Sequence, residues 1–112
     1  MRKLFLVSCV LSAALCALSS CAVTRVVYNR VEHREDLLAK VVVLDSSELM
    51  ELVITMQENG GPIRERVFRV NWMPDHFEIE DFNGDSRPDF KIISTGNETH
   101  YFYSTEHGFV SI

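Results

Sequence analysis

Apolar and polar side chains alternate along most of the chain from residue 37 onward. In the segment HFEIEDF, Phe77 and Ile79 fall on one side of an extended backbone, and Glu78 and Glu80 fall on the other. A period of two residues is typical of a strand with one buried face. Similar short segments, separated by Gly- or Asn-containing turns, are LLAKVVVLD, IRERVFRV, DFKIIST, THYFYST and FVSI. The pattern predicts an all-β fold, a small antiparallel meander or sandwich.

The segment from residue 46 to residue 58 is compatible with two structures. Leu52, Val53 and Met56 recur at helical spacing, and the preceding DSSE resembles a helix capping box. Against this, every second residue from Met50 to Met56 is apolar, and VIT is a β-branched run. The Asn-Gly pair that follows is a strong hairpin signal, because both central residues of such a turn need positive φ. We therefore predict a strand.

The first twenty residues have the layout of a secretory signal. Arg2 and Lys3 precede an apolar run from Leu4 to Leu18, and small residues follow. The run is shorter than the roughly 20 apolar residues of a membrane-spanning helix. Its end, LSSC, resembles the lipobox of bacterial lipoproteins. The resemblance implies cleavage before Cys21, acylation of its thiol and, with Ala22 in the next position, localisation in the outer membrane facing the periplasm.

The segment after the lipobox is polar and mixed in charge. We interpret residues 21–36 as a tether from the lipid anchor to a β domain that spans residues 37–112. A first strand at residues 25–28 is one option within this tether. Two turns of helix in NRVEHREDLLAK are another, because the charges there alternate in sign.

Loss of residues 1–20 would change both the thiol content and the charge. Cys9 and Cys16 would leave with the signal and Cys21 would carry lipid, so no thiol would remain for a disulfide. The formal net charge of the full chain is −5, and removal of two basic residues makes it −7. Such a chain is a poor partner for nucleic acid and for anionic lipid surfaces, and it favours cations or basic proteins.

The segment EDFNGDSRPDF concentrates oxygen ligands at alternating positions. Counted from its first aspartate, side-chain oxygens fall at positions one, three, five and nine, and a backbone carbonyl is available at seven. Hard cations such as calcium take about six to eight oxygen ligands, and a tight turn directs alternating oxygens inward. The predicted calcium ligands are Asp81, Asn83, Asp85, the carbonyl of Arg87, and Asp89.

This pattern is similar to the β-hairpin calcium loop D-x-N-G-D-G-x-x-D of FG-GAP and VCBS-type repeats. The difference is Ser86, where that pattern has Gly. An EF-hand is excluded because the flanks are strand-like and because Ile92 occupies the place of the bidentate Glu. The alternative is a carboxylate-rich turn that binds no ion.

From about residue 49 onward the order of strands, calcium hairpin and STGNETHYFY segment resembles the small periplasmic proteins and lipoproteins related to inhibitors of invertebrate-type lysozyme. Some relatives are immunity proteins against enzymes that cleave peptidoglycan. The resemblance implies a β-sandwich that binds a cell-wall hydrolase, with Ser94, Gly96 and Tyr101 at the partner-binding positions. The alternative is a structural accessory lipoprotein of an envelope assembly, without inhibitory activity.

The remaining polar residues do not suggest an enzyme. The four histidines are scattered, no pair has zinc-ligand spacing, and no catalytic set stands out. Tyr101 and Tyr103 alternate out of register with Phe102, so one side of that strand is aromatic. That side is either a partner surface or a face packed between two sheets.

Overall fold

The structure is a computed structural model that describes residues 24–111. The predicted signal and the lipidation site at Cys21 lie outside these residues. The described chain has eight strands: β1 Arg25–Arg34, β2 Leu37–Asp45, β3 Met50–Glu58, β4 Ile63–Val70, β5 Pro74–Glu80, β6 Asp89–Ser94, β7 Thr99–Ser104 and β8 Phe109–Ser111. Residues 24–111 contain no helix that could span a membrane.

The strands form two antiparallel sheets of four, and the predicted all-β class is confirmed. The first sheet has the order β1-β2-β3-β4, and the second has the order β5-β6-β7-β8, so each is a meander of consecutive strands. Apolar side chains from the inner faces of both sheets form one core, as in a sandwich. Its buried members are Ala39, Val41, Val43, Leu52, Ile54, Met56, Ile79, Phe90, Ile92, Phe102 and Phe109.

The choice of strand for the ambiguous segment is confirmed by β3. Leu52, Ile54 and Met56 are fully buried and point into the core, as the period of two requires. The following turn places Asn59 at φ 55° and Gly60 at φ 67°, which is the conformation expected of an Asn-Gly hairpin turn. Burial of the alternating face therefore prevails over the helical spacing of the same residues.

The interpretation of residues 21–36 as a tether is wrong for residues 25–34. They form β1, which pairs with β2 along its length. This strand begins at Arg25, as in the option of a first strand at residues 25–28, but it continues six residues beyond Tyr28. Tyr28 and Glu32 are its only half-buried residues, because β1 is the outermost strand of its sheet. Its backbone pairing, rather than side-chain burial, explains why so polar a segment is a strand.

Two arginines on β4 close one side of the sandwich. Arg64 donates to the carbonyl oxygen of Thr105 at 3.2 Å and to Glu58 at 2.6 Å, and its side chain is only 12% exposed. Arg66 donates to the carbonyl oxygen of Phe109 at 3.0 Å. These bonds join the edge strand of the first sheet to the end of the second, so the two sheets are held together by polar contacts as well as by the core.

Candidate metal centre

The acidic loop (residues 81–89) connects β5 to β6 within the second sheet. Glu80 and Asp89 are opposite each other in the antiparallel ladder, so the loop begins and ends at one place. Both flanks are strands, as the hairpin pattern requires and unlike an EF-hand. The ladder therefore fixes the two ends of the loop while its tip curls outward.

Asp81 organises the loop through its own carboxylate. Its Oδ1 accepts hydrogen bonds from the amides of Gly84 at 2.8 Å, Asp85 at 3.2 Å and Asn83 at 3.3 Å. Its Oδ2 accepts the amide of Ser86 at 2.8 Å. Short polar side chains commonly stabilise turns in this way, by accepting nearby backbone amides. These bonds to the Asp81 carboxylate account for the tight curl of the loop.

These bonds also lower the pKa of the Asp81 carboxyl below its usual range. The Ser86 amide is the largest cause, desolvation opposes it, and the amides of three further loop residues add to the lowering. Because the folded pKa lies below the unfolded value, this carboxylate stabilises the fold at pH values above the unfolded pKa. That contribution is lost as the pH falls through the folded pKa.

Asp89 is the buried member of the group, with no exposed surface. Its Oδ2 accepts the amide of Phe82 at 3.0 Å, and its Oδ1 accepts the amide of Ser104, at the end of β7, at 2.7 Å. The hydroxyl of Ser104 donates in turn to the carbonyl oxygen of Pro88. Asp89 therefore connects the acidic loop to a neighbouring strand and has a structural role whether or not an ion binds.

Two loop residues adopt left-handed backbone conformations. Gly84 has φ 79°, and Ser86 has φ 70°. The first is easily accommodated by glycine, but a residue with a Cβ is strained there by about 1–2 kcal/mol. Ser86 thus occupies a position where the backbone itself favours the Gly of the D-x-N-G-D-G-x-x-D pattern.

The loop brings three carboxylates together. One oxygen from each of Asp81, Asp85 and Asp89 lies within 4.8 Å of the others. Within residues 24–111, no Lys, Arg or His nitrogen lies within 4.0 Å of these oxygens. Two unit charges at this separation repel by about 1 kcal/mol in bulk water and by more near a protein surface. A bound cation would relieve that repulsion.

The other two predicted ligands lie in the same loop. The backbone amide of Asn83 donates to Asp81, and that of Arg87 donates to Asp85 Oδ1 at 2.9 Å, which places Arg87 beside the carboxylate group. Carboxylate, amide and carbonyl oxygens are the ligands that calcium prefers, and thiol or imidazole ligands are absent from this loop. The donor set therefore fits a hard cation.

Comparison of the chain with protein-family models, with curated proteins and with solved structures found no match.

The three predicted partner-binding residues do not form one surface. Ser94 is only 3% exposed, and its side chain accepts the amide of Glu98 at 3.0 Å within the β6–β7 turn. Gly96 is exposed in that turn. Tyr101 is half-buried on the opposite face of the second sheet, in the row of Lys91. Ser94 has the same strand parity as the buried Ile92, so its side chain points inward rather than to the outer surface.

The aromatic side of β7 faces away from the core. Tyr101 and Tyr103 stack with ring centroids 5.9 Å apart, and Phe82 packs edge-on against Tyr101 at 5.7 Å. Lys91 lies over the Phe82 ring at 5.9 Å. Phe82, which resembles a core residue in the sequence, thus attaches the acidic loop to the outer face of the second sheet. The alternation of Tyr101 and Tyr103 with Phe102 was the signal for this surface.

Proposed function

We propose that the chain is a lipid-anchored binding protein of the bacterial envelope whose fold is stabilised by calcium. The observation that carries the proposal is the convergence of Asp81, Asp85 and Asp89 within 4.8 Å, with no basic side chain of residues 24–111 in contact with them. The sequence LSSC supports the anchor at Cys21. Calcium modules outside the cytoplasm commonly bind at about 10⁻⁴–10⁻³ M, and the strained Ser86 favours the weak end of that range.

Calcium should raise the melting temperature of the domain. A soluble version of residues 22–112 retains all eight strands and suits this measurement. At about ten times the dissociation constant, an ion that binds only the folded state stabilises it by roughly 1.4 kcal/mol, equivalent to several degrees. Calorimetric scans in calcium, in magnesium and in chelator provide the test. Magnesium should substitute poorly, because it needs a tighter octahedron and retains its waters.

Three variants separate ion binding from other effects. Asp85→Ala should abolish the calcium increment while changing the melting temperature in chelator only slightly, because Asp85 is exposed. Ser86→Gly should strengthen calcium binding by removing the strain at φ 70°. Glu106→Ala, an equal loss of charge in the β7–β8 turn, should retain the full increment. Identical melting temperatures of the parent protein in calcium and in chelator would show that the loop is only a turn.

For the partner, we propose a basic cell-wall hydrolase of the lysozyme type. The exposed carboxylates of the acidic loop lie beside the outer aromatic face that contains Phe82, Tyr101 and Tyr103. Aromatic side chains often provide the main contacts of an interface, and an acidic rim attracts basic proteins. We propose this outer aromatic face, which includes Tyr101, as the partner-binding region; Ser94 and Gly96 lie apart from it, in and beside the β6–β7 turn.

Residues 22–112 should slow at least one enzyme in a panel of lysozyme-type muramidases at micromolar concentration. Tyr101→Ala should weaken the inhibition, and Val67→Ala, on the other sheet, should leave it unchanged. A panel in which no enzyme is slowed would remove this partner. Capture of a multi-subunit assembly from envelope extract would then favour the structural accessory role.

A further inference from the structure

The exposed apolar side chains of the fold are concentrated on the first sheet. Within residues 24–111, seven large hydrophobic residues are exposed, and six belong to β1, β2 or β4. The second sheet contributes only Val110. Strand register places five of the six on the outer face of the first sheet, with the half-buried Val42 and Val53 between them. The five are Val26, Val31, Leu38, Ile63 and Val67.

The charges of this face are balanced. Among its neighbours in register, Lys40 and Arg69 are matched by Glu51 and Glu65. The opposite side of the sandwich is acidic, with exposed carboxylates on β5 and in the acidic loop at Glu78, Glu80, Asp81 and Asp85. The net negative charge of the protein therefore does not prevent the first sheet from approaching an uncharged or zwitterionic surface.

The distance from the proposed anchor to the first sheet is short. β1 begins at Arg25, only four residues after Cys21. Four residues span at most about 14 Å, whatever their conformation. A diacylglyceryl group on Cys21 would therefore hold the Arg25 end of the first sheet within that distance of the lipid headgroups. The structure leaves no room for the longer tether that the sequence suggests.

We propose that the outer face of the first sheet lies on the membrane that holds the anchor, with its apolar side chains among the lipid headgroups. The inference depends on acylation of Cys21 in the proposed function. In this orientation the second sheet and the acidic loop face away from the lipid. The shortest dimension of the fold is 20 Å. A partner would therefore contact the second sheet and the acidic loop at roughly that height above the membrane surface.

Two valines provide a matched pair for the test. Val67, on the outer face of the first sheet, is 46% exposed, and Val110, on the outer face of the second, is 41% exposed. After cleavage and acylation the chain has no free thiol, so Val67→Cys and Val110→Cys each create a single labelling site. Full-length protein, processed in cells and reconstituted into phosphatidylcholine vesicles, would carry an environment-sensitive fluorophore at one site or the other.

The label at residue 67 should be several-fold brighter on the vesicle-bound protein than on soluble residues 22–112 in water. Lipid-borne quenchers should quench it. The label at residue 110 should remain accessible to aqueous quenchers. Equal aqueous quenching at both sites, in protein that sediments with vesicles, would overturn the docking and leave the anchor intact. Failure of the processed protein to sediment would overturn both. Protection of residue 67 from aqueous and lipid quenchers alike would identify a second protein copy as the occupant instead.

Discussion

Replacement of Asp89 by Ala should lower the free energy of unfolding by about 2–4 kcal/mol, with or without calcium. The reason is that the carboxylate accepts the amides of Phe82 and Ser104 from a fully buried position. Its removal leaves donors with no replacement acceptor in a site that water does not reach. For a domain of this size the loss corresponds to a fall of more than roughly 10 °C in melting temperature.

Measurements in chelator separate this structural role from any contribution of the proposed calcium ion. Asp85→Ala is the matched control, because it removes an exposed carboxylate from the same loop and only one amide bond, that of Arg87. In chelator, Asp85→Ala should lower the free energy of unfolding by no more than about 1 kcal/mol. The loss in free energy of unfolding for Asp89→Asn should lie between those of the two alanine variants, because an amide oxygen can still accept a hydrogen bond from one donor. Equal melting temperatures for the two alanine variants in chelator would contradict the structural role of Asp89.

Truncation of Phe90 should cost the most, about 3–5 kcal/mol. Phe90 is fully buried, and its ring packs against Phe77 at 5.9 Å and Phe109 at 5.4 Å. Phe90→Ala leaves a cavity among side chains from three strands. Because small domains are stable by only about 5–15 kcal/mol, much of the variant should be unfolded at modest denaturant concentration. Urea unfolding followed by tryptophan fluorescence of Trp72 measures the loss.

The control for Phe90 is Phe82, which has the same side chain on the outer face of the second sheet. Phe82 is half-buried and contacts Tyr101 and Lys91 rather than the core. Phe82→Ala should cost roughly 1 kcal/mol, because solvent fills the space that the ring leaves. A loss for Phe90→Ala no greater than that for Phe82→Ala would contradict the placement of Phe90 in the core.

The strands that were predictable from sequence are those with one buried face. In β3, alternate residues enter the core, so the period of two is visible and outweighs helical spacing. β1 lacks this signal, since its side chains are almost all exposed and its stability comes from backbone pairing with β2. An edge strand with many charges resembles a linker in sequence, and charges are also what protects such an edge from aggregation.

In the acidic loop, too, contacts between residues close in sequence were predictable and contacts between distant residues were not. The turn around Asp81 follows from a spacing of a few residues, so its amide contacts agree with the predicted curl. The bond between Asp89 and Ser104 crosses 15 positions and depends on how β7 pairs, which no local pattern encodes. The burial of Ser94 is local information, because its inward direction follows from the strand parity that it shares with Ile92.

Each sheet is made from one continuous half of the chain, and residues 71–73 are the connection between the halves. All strand pairings are therefore hairpins between sequence neighbours, which shortens the loops that must close and favours fast folding for an all-β protein. The core is different, because it forms only when the two halves meet. Until then the apolar inner faces of both sheets are open to water. Collapse of the halves onto each other, rather than strand pairing, is the step at which newly made chains are most exposed to aggregation.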